Sequence, residues 1–116
     1  MNQVRMDDYL SHIRQAAQDA LTFVDGLEKD EFLNDKRTQN AVIMSLIILG
    51  EASTKMMDRH ADFTAIHAQV PWRSMRNMRN RMAHGYFDIN LDIVWDTVAT
   101  VLPELLRTLQ GLEACD

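Results

Sequence analysis

Apolar residues recur along this chain at steps of three and four, and that spacing decides what it can fold into. Leu10, Ile13, Ala17, Ala20, Val24 and Leu27 make one such stripe, which predicts a helix from about Met6 to Leu27. Ile93, Val94, Val98, Val101, Leu102, Leu105, Leu106 and Leu109 make another, beginning after Asn90, a good N-cap, with Asp92 in the first turn and Gly111 as the stop. Pro103 falls inside that pattern and predicts a kink or the loss of one backbone hydrogen bond. Between the two stripes, Met75, Met78 and Met82 stand at i, i+3 and i+7, a pattern that reads as core packing. Pro71 suits the first turn of that helix, where a missing N–H costs nothing, and Gly85 suits its end.

The remaining long segment spans about Lys36 to Arg59. Its run from Ala41 to Leu49 could pass locally for a buried strand, but the residues after it carry no turn chemistry. One helix, apolar nearly all round in its middle, is the expectation, and such a helix belongs at the centre of a bundle or at an oligomer interface. Lys29 to Asp35 reads as a turn, and Asp62 to Val70 as irregular or a short helix. With only four glycines and two prolines in 116 residues, the turns of a sandwich or barrel are missing. The expected fold is all-α, an antiparallel four-helix bundle forming one domain over residues 1–116.

Composition fits a cytoplasmic protein. The single cysteine, Cys115, builds no intramolecular disulfide, and charged residues occupy the start of the chain where a secretion signal would be apolar. The longest apolar run is about half of what a membrane span needs. The net charge of −5 would not suggest a nucleic-acid partner, but its distribution matters more. Between Phe63 and Phe87 there is no Asp or Glu, while Arg73, Arg76, Arg79 and Arg81 all lie there. Such a window suits an anion, or equally an acidic partner surface.

On an ideal helix Arg73, Arg76, Asn77, Asn80 and His84 share a face opposite the methionines. Arg supplies a permanent planar charge and His a proton near neutral pH, the two needs of metal-independent cleavage of a phosphodiester. A lone His beside basic residues is, on its own, more often solvated or structural. Arg79 and His84 stand about 140° apart on such a helix, so one protomer does not obviously converge them. Glu51, among apolar neighbours, is a candidate to orient Arg79 or Arg76 through a buried ion pair. No spacing of His or Cys makes a credible metal site, and no cofactor is called for.

The string Arg79-Asn80-Arg81-Met82-Ala83-His84-Gly85-Tyr86 reads Arg-x4-His-x-Tyr and resembles the signature of the HepT branch of the HEPN superfamily. Val70-Pro71-Trp72-Arg73 before it, Tyr86-Phe87-Asp88-Ile89 after it, Val94-Trp95, Leu102-Pro103-Glu104-Leu105 and the upstream Gly50-Glu51 resemble family words as well. The resemblance implies a HEPN-like bundle that forms a homodimer with two Arg/His sets in a shared cleft. It implies a metal-independent endoribonuclease serving as the toxin of a toxin–antitoxin system. Arg79 would stabilise the transition state, His84 would transfer protons, and Arg73, Arg76, Asn80, Arg81 and Glu51 would support the RNA. The implied partner is an MNT-type nucleotidyltransferase antitoxin that adenylylates Tyr86. A non-catalytic, nucleotide-binding subunit of such a nucleotidyltransferase is the other reading that the motif allows.

Overall fold

All four amphipathic segments are helices in the structure, a computed structural model that describes residues 5–114, so that Met1 to Val4 and Cys115 lie outside it. In chain order it holds α1 (Met6–Val24), α2 (Lys29–Leu33), α3 (Lys36–Arg59), α4 (Ala61–Ile66) and α5 (Trp72–His84). A 3-10 turn (Tyr86–Asp88) then leads to α6 (Leu91–Asp96), which passes through a π turn (Thr97–Val101) into α7 (Leu102–Ala114). No strand occurs among the described residues. The helices α1, α3, α5 and the continuous α6–α7 rod are the expected bundle. In it α3 packs against both α1 and α5, and α7 returns against α1.

The start of α3 is set by Asp35, whose carboxylate accepts from the Thr38 backbone N–H at 3.1 Å and from the Thr38 hydroxyl at 2.6 Å. These bonds satisfy donors that a helix start leaves unpaired. Asn90 does the same for α6, accepting from the N–H groups of Asp92 and Ile93 at 3.0 and 3.2 Å. Pro71 is the N-cap of α5 rather than a residue of its first turn. Gly111 does not end the last helix, which runs on to Ala114.

The segment read as a turn, Lys29 to Asp35, contains α2. The reason is one side chain: Phe32 is fully buried and its ring lies 5.4 Å from that of Trp95. A single anchored aromatic turns a charged connection into a helical one, helped by Glu31, which accepts from the Glu28 N–H at 2.8 Å. The middle of α3 is also less enclosed than its composition suggests. Val42, Leu46 and Leu49 are fully buried, yet Met44 and Ile48 stand half-exposed on the opposite side.

In the last helix, Val94, Val98 and Leu102 follow one another at steps of four and are all buried. An α-helix would let that series drift around its axis, whereas the wider π turn keeps it in line. Leu102 N–H reaches back to the Thr97 carbonyl, the five-residue bond of a π turn. Pro103, the next residue, has no N–H to continue the α ladder, and here the expected disturbance takes the form of this bulge. Ile93 and Val101, expected on the apolar face, point outward and are exposed.

Candidate active site

The acid-free window is α5 and its cap. Met75, Met78 and Met82 bury one side of the helix, and Trp72 anchors its first turn through a hydrogen bond from its indole N–H to the His67 carbonyl at 3.1 Å. Across the contact, Ser53 of α3 is fully buried and donates to the Met75 sulfur at 3.5 Å. One turn earlier on α3 the backbones approach so closely that a Cβ on Gly50 would lie 2.6 Å from the Met75 carbonyl oxygen and meet the Cβ of Arg79. Ser53 facing Met75 while Gly50 faces Arg79 makes α3 and α5 antiparallel. Only a glycine allows this crossing.

The crossing places Arg79 beside Glu51, with Nη2 at 3.0 Å from Oε2. The expected partner is therefore found, but the pair is not buried: the Arg79 side chain keeps 20% of its exposure and that of Glu51 keeps 50%. Arg79 Nε is buried without a hydrogen-bond partner, which leaves the guanidinium held by one edge only. Lys55, one turn along, also approaches Glu51, at 4.0 Å.

His84 is the last residue of α5 and is exposed, as are Arg73, Asn77, Asn80 and Arg81; Arg76 is part-buried. Arg73, Arg76, Asn77, Asn80 and His84 thus form the polar face that the helical wheel predicts. Arg79 lies off that face, on the flank toward α3, and no hydrogen bond joins it to His84 among the described residues. Within one protomer the two motif residues remain about 140° apart around α5. Arg81 turns the other way, toward the rod, and lines a cleft of about 150 Å³ with Asp88, Asn90 and Ile93.

Tyr86 opens the 3-10 turn after Gly85 and keeps 74% of its exposure, with Phe87 at 82% and the two rings edge-on at 5.4 Å. Both border an open groove of about 440 Å³ whose other wall includes Lys36, Gln39, Asn40 and Ile43 of α3. His60 and His67 end opposite sides of α4, and their rings lie 6.2 Å from Tyr9 and 4.4 Å from Phe63 respectively. No group of three His, Cys, Asp or Glu residues among the described residues could hold a metal ion.

The profile of the family described as "Ribonuclease HepT-like" matches residues 13–112. The chain belongs to the HepT-like ribonuclease family. It is 39% identical to the "Probable ribonuclease HepT" of Thermococcus cleftensis, over 90% of this chain and 93% of that protein. A provisionally named RNase of Methanocaldococcus jannaschii is 37% identical over 90% of this chain and 84% of its own length. Another, from Caldanaerobacter subterraneus, is 34% identical over 90% of each chain. No solved structure matches the chain.

Two features of this HepT-like site escape a reading of the motif alone. One is why a glycine precedes Glu51: the signal is a helix-weakening residue in the middle of an otherwise apolar helix, a cost of about 1 kcal/mol relative to Ala that only a close approach justifies. The other is Phe87, whose exposed ring extends the surface around Tyr86. No helix among the described residues is long and apolar enough to cross a membrane.

Proposed function

We propose that this HepT-like chain is the toxin of a HEPN/MNT toxin–antitoxin system, a metal-independent endoribonuclease that uses Arg79 and His84. The observation that carries the reading is a cation held by Glu51 and an exposed histidine on one helix, beside a face of Arg73, Arg76 and Asn80 that supports the RNA. Family membership supplies the substrate class. In the reaction the 2′-oxygen attacks the adjacent phosphorus as the bond to the 5′-oxygen breaks. His84 moves a proton, from the 2′-hydroxyl or to the leaving 5′-oxygen, and the product carries a cyclic phosphate. Arg79 offsets the charge that gathers on the phosphoryl oxygens.

A homodimer supplies what one protomer leaves apart. Met44 and Ile48 offer an apolar strip on α3 next to the crossing that carries Arg79, so a second copy covering that strip would bring a partner's motif helix near the first. Control would fall on Tyr86. Its exposed hydroxyl can attack the α-phosphorus of ATP in the active site of an MNT-type nucleotidyltransferase antitoxin, releasing pyrophosphate and leaving AMP on the ring. The added phosphate and nucleoside would exclude RNA by charge and bulk.

Incubating the purified protein with single-stranded RNA in EDTA tests the central claim. Wild-type protein should cut and leave cyclic phosphate ends, while Arg79→Ala and His84→Ala should each lose at least about a hundredfold in rate. Cleavage that stops in EDTA and returns with magnesium would sink the mechanism. For the control step, mass spectrometry of the protein co-expressed with its antitoxin should find AMP on the Tyr86 peptide. Silencing with that peptide unmodified would rule the modification out.

A further inference from the structure

A wide open groove of the molecule lies away from His84. It lies at the other end of the same polar face, where the last turn of α3 and the helix α4 meet the first turns of α5. About 590 Å³ in volume, it is lined by Asp58, Thr64, Ala68, Trp72, Arg73 and Arg76, among others. That size accommodates a nucleotide-sized group. Arg76 stands about 12 Å along the helix axis from His84, and Arg73 about 16 Å, both on the His84 face.

The chemistry of the walls narrows the occupant. Two donors near the groove are already committed, since Trp72 donates to the His67 carbonyl and Thr64 to the Ala61 carbonyl. Arg79 is held by Glu51, but Arg73 and Arg76 are in no ion pair among the described residues. Their guanidinium groups are the charged donors the groove has to offer, beside the Ser74 hydroxyl. Among the described residues Asp58 is the one carboxylate in the lining, and it too is in no ion pair. Two cations with one anion suit a single phosphodiester rather than a polyphosphate, with a ribose hydroxyl or base amine turned to the carboxylate.

We infer that this groove is a second RNA subsite, taking one nucleotide of a single-stranded substrate away from the cut. Arg73 and Arg76 hold its phosphodiester, and Asp58 accepts from its ribose or base. The inference rests on the ribonuclease reading and deepens it. A contact remote from the reacting atoms is made equally in the ground and transition states, so it governs KM and leaves kcat alone. Unpaired bases are what such a groove can receive, because a strand locked in a duplex does not splay a nucleotide sideways.

The test reads binding and cleavage separately. Binding of a fluorescently labelled single-stranded RNA to His84→Ala protein is followed by anisotropy over a range of salt concentration. Adding Arg73→Ala and Arg76→Ala together should flatten the logarithmic salt slope by about 0.7, the share of the one phosphate contact on a single strand that the two make between them. Lysine at either position should keep the slope. Ala68→Trp, which fills the groove without touching a charge, should weaken binding at an unchanged slope. In otherwise wild-type protein, each arginine-to-alanine change should raise KM about tenfold with kcat held within about twofold. If slope and KM stay at wild-type values in protein that still cuts RNA, the subsite is disproved and the cleavage centre stands. A matching fall in kcat would also overturn it, by assigning the arginines to the reacting centre. Wild-type protein that neither binds nor cuts RNA would remove the ribonuclease reading and the subsite with it.

Discussion

Glu51 grips Arg79 from the neighbouring helix, Oε2 to Nη2 at 3.0 Å, so the aim of the motif arginine is set by a residue 28 positions earlier in the chain. The pair is too exposed to matter much for stability, at most about 1 kcal/mol. Its value lies in holding a long, flexible side chain in one direction. We expect Glu51→Ala to lower kcat about ten- to a hundredfold with little change in KM or in unfolding free energy. Glu51→Gln, which keeps an acceptor, should recover part of the loss. Steady-state kinetics beside urea unfolding would separate this positioning role from a structural one, in which stability would fall and kcat would not.

Gly50→Ala reverses the usual sign of a helical glycine substitution. On an open helix the change would stabilise by about 1 kcal/mol. Here the new methyl meets the Met75 carbonyl oxygen at 2.6 Å and the Arg79 Cβ. Backbone does not yield as a side-chain tip does, so α5 must move away from α3. Destabilisation of about 1–3 kcal/mol is expected by chemical denaturation, together with a loss of RNA cleavage as Arg79 leaves Glu51.

The apolar strip on α3 is open to direct challenge. Met44→Glu and Ile48→Glu both alter half-exposed side chains, so the fold should survive each. Sedimentation at micromolar concentration should show wild-type dimers and monomeric variants, with cleavage lost alongside the dimer. Wild-type protein that sediments as a monomer would disconnect the strip from the site.

Asp35 ties the start of α3 to pH. Its side-chain bond from Thr38, then the backbone bond from the same residue, lowers its carboxyl below the ordinary aspartate range. A carboxylate with a depressed folded pKa stabilises fully above its unfolded value, and that contribution is lost as pH falls through the folded one. Asp35→Ala should therefore melt at a lower temperature than wild type at neutral pH. The difference should close as the solution is acidified past the carboxylate range, as thermal scans across that range can show.

Much of this was legible because helices announce themselves by spacing. The bounds read for α3, Lys36 to Arg59, are those observed, and the methionine stripe faces inward as its period requires. The polar face of α5 follows from the same arithmetic, since a helix fixes side-chain direction by position alone. What stayed hidden depends on contacts between elements. Phe32 folds α2 only because Trp95 waits for it, more than sixty residues on. The middle of α3 reads as apolar all round, yet which side is bare depends on where α1 and α5 settle. Glu51 could be proposed as a partner, but the choice of Arg79 over Arg76 comes from the depth at which Gly50 lets α5 approach. The groove beside Arg73 is the clearest case, for its walls come from three helices that share no motif.

The π turn before Pro103 has a reach beyond its five residues. Relative to an unbroken α-helix it delays everything downstream by about one residue's rotation, roughly 100°. Leu105, Leu109 and Leu112 are all buried in that delayed phase, about one to three turns beyond the bulge. Straightening the turn would swing those leucines out of the core and bring their hydrophilic neighbours in. Thr97 to Val101 thus acts as a phase setting for the C-terminal rod: a single-residue deletion beyond it, after Pro103, would scramble the inner surface, whereas the same deletion within it would only turn the bulge into α-helix.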